Sequence, residues 1–212
     1  MSLTEIVTVL FTAYITVDMA KYLRSGELRT DFWAFRTLKR WRWVGAVAAC
    51  LFLAAATFAI GITLYSLAGP LARWSWLLLL QSPAHPEPQA GNLMTAGIKI
   101  PWFALAFFPL LALNIPRLAK REEEVFRHRI RSVPQAMLKS VKFGFVHAVV
   151  GVPLGFCVAL ILPGLVFSWV YTKGGTRLST AWHATYNYII LVVAFTFLYG
   201  LPFLGQLTTR QN

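Results

Sequence analysis

Eight residues of this 212-residue chain are acidic, and three of them stand side by side, Glu122, Glu123 and Glu124; the positions that follow, 125 to 212, hold none. A carboxyl group in a low-dielectric setting has a raised pKa and becomes a better base near neutral pH. A carboxylate triplet in a strongly apolar chain is therefore the first place to look for chemistry. Successive helical residues turn by about 100°, so the three glutamates cannot share one environment. Glu123 and Arg127, four apart, face one side and can pair, while Glu122 points elsewhere. Of the four histidines, His85 and His128 lie in polar stretches, but His147 and His183 lie within apolar runs, where an imidazole must find a polar partner or lower its pKa. Phe143 precedes His147 by one helical turn, so ring and imidazole are expected to stack on one face. Asn187 follows His183 by one turn, placing two hydrogen-bonding groups on one face. Two plainer readings stand beside these: a charge run at the end of a span is commonly a solvated turn laced with salt bridges, and an intramembrane histidine commonly bonds a neighbouring helix. Glu and two His also compose a set that binds zinc, although no HExxH pair is present. No cofactor is expected, with zinc the alternative.

These side chains must be positioned by elements that the rest of the composition defines. The chain is 57% hydrophobic and 13% charged, with mean hydropathy +0.59, whereas soluble domains are about a quarter charged. An all-α, polytopic transmembrane bundle in one domain over residues 1 to 212 is the expectation, with about six spans plus an interfacial helix. Residues 44 to 69 are uncharged throughout and exceed the ~20 positions that a crossing needs. Further apolar candidates run over 3 to 20, 100 to 116, 134 to 150, 154 to 172 and 179 to 201. They are separated by a proline-rich loop within 81 to 96, by the Gly151 to Pro153 break and by the YTKGGTRLS turn. The first 23 residues lack the basic start of a cleaved signal peptide and read as part of the mature chain. Cys50 and Cys157 lie in apolar runs and offer neither a disulfide framework nor a CxxC motif.

The net charge of +12 would suggest nucleic acid in a soluble protein, but here the basic residues cluster between apolar runs, and no nucleic-acid partner is expected. Residues 21 to 42 carry seven Lys and Arg, residues 117 to 142 carry eight, and residues 81 to 96 carry none. The positive-inside rule puts both basic segments in the cytoplasm and the proline-rich loop outside. Both termini then face outward. With Phe32, Trp33, Phe35, Trp41 and Trp43 interspersed, residues 21 to 43 read as an interfacial helix in contact with anionic lipid. GxxxxGK[ST], GxSxG and GxGxxG patterns are absent, which removes the nucleotide and serine-hydrolase readings those motifs would support.

Taken in order, Glu122-Glu123-xxx-Arg127, Phe143-xxx-His147 and His183-xxx-Asn187 resemble the EExxxR, FxxxH and HxxxN motifs of the CAAX protease and bacteriocin-processing (CPBP, also Abi) family of glutamic intramembrane proteases. The YTKGGTRLSTAWHATYN stretch resembles the turn that leads into the family's His-bearing helix. The likeness covers residues 115 to 200, the expected catalytic core, and leaves 1 to 114 as N-terminal spans and the basic interfacial segment. His128 stands where the family usually has Gly, Glu124 where an apolar residue is common, and Lys139 and Lys142 make the FxxxH helix unusually basic. The resemblance implies that Glu122, helped by His147, activates a water. It also implies that His183 and Asn187 stabilise the oxyanion, and that Glu123, Arg127 and Phe143 support the site.

The implied activity is intramembrane hydrolysis of a peptide bond in a membrane-anchored protein or peptide substrate. The alternative is a non-proteolytic membrane scaffold or assembly factor that keeps the fold and recruits a membrane protein partner through residues 21 to 43. A small transporter would need a polar path that the first half of the chain does not offer. The expected location is a bacterial plasma membrane, or a thylakoid.

Overall fold

The structure is a computed structural model that describes residues 3 to 80 and 101 to 196. Every regular element among them is helical: α1 (Leu3–Ser25), α2 (Glu27–Phe32), a 3-10 turn (Trp33–Thr37), α3 (Arg40–Leu67), α4 (Gly69–Arg73), a second 3-10 turn (Trp76–Leu80), α5 (Pro101–Phe126), α6 (Val133–Val146), a third 3-10 turn (His147–Val150), α7 (Leu154–Ala159) and α8 (Ile161–Phe195). The proline-rich loop and positions 197 to 201 of the last expected span fall outside the described residues.

Local chemistry explains several boundaries. α6 starts at Ser132, whose Oγ accepts from the Gln135 N–H, with a proline in the first turn where a missing N–H costs nothing. It ends ahead of Gly151, which takes a left-handed φ of 85°. The expected single interfacial helix over 21 to 42 is instead four pieces: the end of α1, α2, a 3-10 turn and the start of α3. Gly26 at φ 73° and the extended Leu38 break it.

Among the described residues two stretches are long and apolar enough to cross a membrane, 42–67 and 154–195, with mean hydropathy 2.3 and 2.0. α1, α5 and α6 are helical where spans were expected but do not reach that level. α1 carries Asp18, Lys21 and Arg24, the last turns of α5 carry Arg117 to Glu124, and α6 is 14 residues long with Lys139 and Lys142 inside it.

The second stretch is not one rod. α8 is interrupted at Gly174 and Gly175, the latter at φ 66°, ψ −167°. The Phe167 ring stacks on His183 at 4.6 Å, and Ser179 Oγ lies 3.0 Å from the Phe167 carbonyl. In an unbroken helix residues 167 and 183 would be ~24 Å apart. The chain doubles back at the two glycines, as the turn signal in the sequence leads one to expect.

The remaining packing follows the same up-and-down logic. A Cβ on Gly144 would meet the Cys157 carbonyl, and one on Gly164 would meet Ser140, so α6 and the first half of α8 run antiparallel in close contact. α5 lies antiparallel to the second half of α8, Glu123 beside Ser179 and Tyr188 bonded to the Ala112 carbonyl. α3 closes the bundle, with Cys50 against the Trp182 carbonyl and Phe156 over Gly61. The central cluster is Cys50, Leu53, Ala54, Phe143, Phe167 and Tyr186.

Candidate functional site

Glu123 is the buried centre of the site. Its side chain is fully enclosed, near the C-terminal end of α5 and beyond the apolar stretch that ends at 116. His183 Nδ1 donates to its Oε1 at 2.8 Å, and Ser179 Oγ donates to its Oε2. Arg127 Nε approaches Oε1 at 3.6 Å, a charge contact without hydrogen-bond alignment. Burial alone would raise the Glu123 carboxyl. The hydrogen bond and charge of His183, then Arg127 and Ser179, outweigh it and hold the group below the usual carboxylate range. Burial likewise lowers the Arg127 guanidinium, opposed by Glu123 and Glu122. Arg127 is fully buried and lies 4.2 Å from the Phe143 ring centroid, with Phe126 and Phe167 at 5.9 and 5.7 Å. This aromatic cage replaces part of the lost hydration by cation–π attraction.

Glu122 faces elsewhere, as the helical turn requires, and its side chain keeps 31% of its exposure. Its Oε2 is nevertheless sealed, without a hydrogen bond, and stands 3.4 Å from His183 Nε2. His183 thus lies between two carboxylates. With Nδ1–H given to Glu123, Nε2 is the ring nitrogen that faces Glu122.

His147 and His183 both pack on Phe143, with ring centroids 5.0 and 5.4 Å from it. His147 meets Phe143 edge-on at 76° rather than stacked, because its Nδ1 turns back to the Phe143 carbonyl at 2.8 Å. With Nδ1–H on a carbonyl, Nε2 is the ring nitrogen left for other partners. Asn187 is half-buried one turn beyond His183, with no hydrogen-bond partner among the described residues. The structure therefore joins these residues in one chain of contacts, with His147, His183 and Arg127 against the Phe143 ring and Glu122 and Glu123 against His183, and Asn187 one turn beyond His183.

Ser179 belongs to the cluster and was not singled out by motif. Its only signal is position, one turn before His183. It does not touch an imidazole, so a serine nucleophile with a histidine base is not assembled. Among the described residues, no three His, Cys, Asp or Glu side chains stand in a metal-holding arrangement.

Two further features lie outside the motifs. At the basic end, Asp31 accepts from Tyr22 at 3.0 Å and Lys120 at 2.8 Å. Arg117 bonds Asp18 at 3.0 Å and lies 4.7 Å over the Tyr22 ring. On the face of α8 turned away from His183, an apolar groove of about 620 Å³ runs between Phe35, Trp43 and Leu51 on one side and Tyr188 and Val192 on the other. Comparison of the chain with known protein families, with characterised proteins and with solved structures finds no match.

Proposed function

We propose that the protein is a multi-pass intramembrane endopeptidase that hydrolyses a peptide bond of a membrane-anchored substrate. The observation that carries this reading is His183 held between two unlike carboxylates, one buried and fully bonded, the other partly exposed. Glu123, Ser179 and Arg127 fix the imidazole. Glu122 is left free to act. Glu122 takes a proton from water as the water oxygen attacks the carbonyl carbon, and His147 Nε2 assists by accepting a hydrogen bond from that water. The developing oxyanion is met by His183 Nε2–H and the Asn187 amide, donors worth more where water is excluded. The proton on Glu122 then passes to the amine nitrogen as the C–N bond breaks. The six-span topology, with both termini outside the cytoplasm of a bacterial cell, belongs to the same reading, since it sets the cluster near the cytoplasmic boundary.

A second reading, a non-proteolytic membrane scaffold, is favoured by the apolar groove on the opposite face of α8. Glu122→Gln separates the two. It keeps shape and hydrogen bonding but removes the base, so cleavage should fall by about 10² to 10⁴ while the protein still folds. Mass spectrometry of membrane-protein termini should find new termini in cells carrying the wild-type chain and lose them with Glu122→Gln. Identical termini, together with full complementation of a deletion strain by the variant, would exclude the protease.

A further inference from the structure

The helical segment that carries His147 ends among apolar side chains, and the last carbonyls of a helix have no partner within it. Part of that need is met locally. The Val152 N–H donates to the His147 carbonyl at 3.2 Å and the Gly151 N–H to the Ala148 carbonyl at 3.0 Å, with Gly151 in the left-handed conformation. This is the paired-bond ending that glycine permits, and His147 itself supplies its first acceptor. The carbonyls beyond, those of Val149 and Gly151 among them, still need donors. The residue that a continuing helix would bring to Val149 is Pro153, which has no N–H.

Residues 74 to 77 meet that need from 72 to 76 positions away in sequence. Trp76 Nε1–H donates to the Ala148 carbonyl at 2.9 Å, with the Val149 carbonyl at 3.2 Å, and the Ser75 hydroxyl donates to the Gly151 carbonyl at 2.7 Å. The Trp74 carbonyl in turn accepts from the Leu154 N–H, the first donor of α7, at 3.1 Å. Ser75 and Leu77 are buried, and a Cβ on Gly151 would stand 2.3 Å from the Leu77 side chain. This strap thus closes over the turn whose first residue bears the imidazole. We infer that Ser75 and Trp76 are positioning residues for His147, holding the turn that keeps its Nδ1–H on the Phe143 carbonyl and its ring edge-on to Phe143. A carbonyl orphaned among apolar groups is costly, so without these donors the turn repacks and the ring loses its anchor. The bearing on chemistry rests on the role given to His147 in the proposed hydrolysis.

The test follows the ring nitrogens of isotope-labelled histidine by solid-state NMR, in the full chain in lipid bilayers. His147→Gln and His183→Gln assign the signals. The wild-type chain should show His147 as the Nδ1–H tautomer. Trp76→Phe keeps an aromatic ring and removes the N–H, and should lower that tautomer preference by about threefold or more, the smaller end of what one hydrogen bond contributes. Ser75→Ala should act in the same direction, and Ser75→Thr, which keeps the hydroxyl, should restore the wild-type signals. His183 should be unmoved throughout. Trp74→Phe, which leaves the backbone carbonyl at 74 in place, should move neither histidine. His147 signals unchanged in both Trp76→Phe and Ser75→Ala overturn the inference. So does a joint collapse of the His147 and His183 signals, which would make the strap a general support of the fold. Cleavage is read separately, as new termini that should fall with the tautomer preference in Trp76→Phe. Their absence with the wild-type chain would remove the proposed hydrolysis, and the ring signals would still decide whether the strap positions His147.

Discussion

Glu122 and Glu123 are adjacent in sequence, yet one retains solvent contact while the other is sealed against His183, Ser179 and Arg127. Substitution should expose that difference as stability rather than chemistry. Ser179→Ala removes a donor to a buried carboxylate and should lower stability by about 1 to 3 kcal/mol, read as a lower melting temperature in detergent. The pH dependence follows from the lowered Glu123 carboxyl. A depressed carboxyl contributes stability that is present above its unfolded pKa and lost as pH falls through its folded value. The wild-type melting temperature should therefore drop on acidification below the ordinary carboxylate range, and Glu123→Gln should flatten that drop from a lower starting point. That Glu123 and Arg127 meet was legible from their spacing of one helical turn, whereas the bond from His183 to Glu123 joins residues 60 apart and only the fold shows it. Ser179 was not legible either, since a serine in a polar turn is common and only the fold shows what it touches. The expected stacking of Phe143 on His147 failed for a related reason: spacing fixes which residues are neighbours, while the bond from Nδ1 to a carbonyl fixes the ring angle.

At the scale of elements, the site depends on two reversals that bring distant stretches to one level. The first sits at Gly174–Gly175, where Gly175 adopts a backbone conformation open essentially to glycine alone. Gly175→Ala has open space around it, so its cost is conformational, about 1 to 3 kcal/mol. It should also loosen His183 from Phe167. The second, where Gly151 takes a left-handed φ of 85°, depends on close approach as well. A Cβ on Gly144 would stand 2.4 Å from the Cys157 carbonyl, and backbone cannot yield as a side chain can. Gly144→Ala should cost about 1 to 3 kcal/mol through overpacking and displace α6 with Phe143 and His147. Thermal unfolding of both variants, with Gly45→Ala as an unstrained control, reads the contrast. Both reversals were legible from Gly and Pro placement. The division of residues 21 to 42 was not, because amphipathic composition reports where a segment lies and not whether one helix can follow the turns at Gly26 and Leu38.

For the molecule as a whole, the fold carries an orientation marker in its charges. Lys120 bonds Asp31, and Arg117 bonds Asp18, so the basic segment before α3 is tied to the basic turns that end α5. Arg177, just after the Gly174–Gly175 reversal, lines one pocket with Asp31 and Lys120. Three cationic segments far apart in sequence therefore share one end of the bundle. The opposite end is built differently. There Ser75 and Trp76 bond the Gly151 and Ala148 carbonyls, and Arg73 alone supplies positive charge among the described residues near that turn. By the positive-inside rule this asymmetry predicts the basic end on the cytoplasmic side. In a background lacking Cys50 and Cys157, single cysteines at Ser25 and Ser132 mark the basic end, and cysteines placed within 84 to 92 mark the proline-rich segment expected outside. An impermeant thiol reagent added to intact cells should label the loop positions and leave the other two unreacted until the membrane is opened. The reverse pattern would place Glu122 and its neighbours at the outer face, where a substrate would have to be presented from outside the cell.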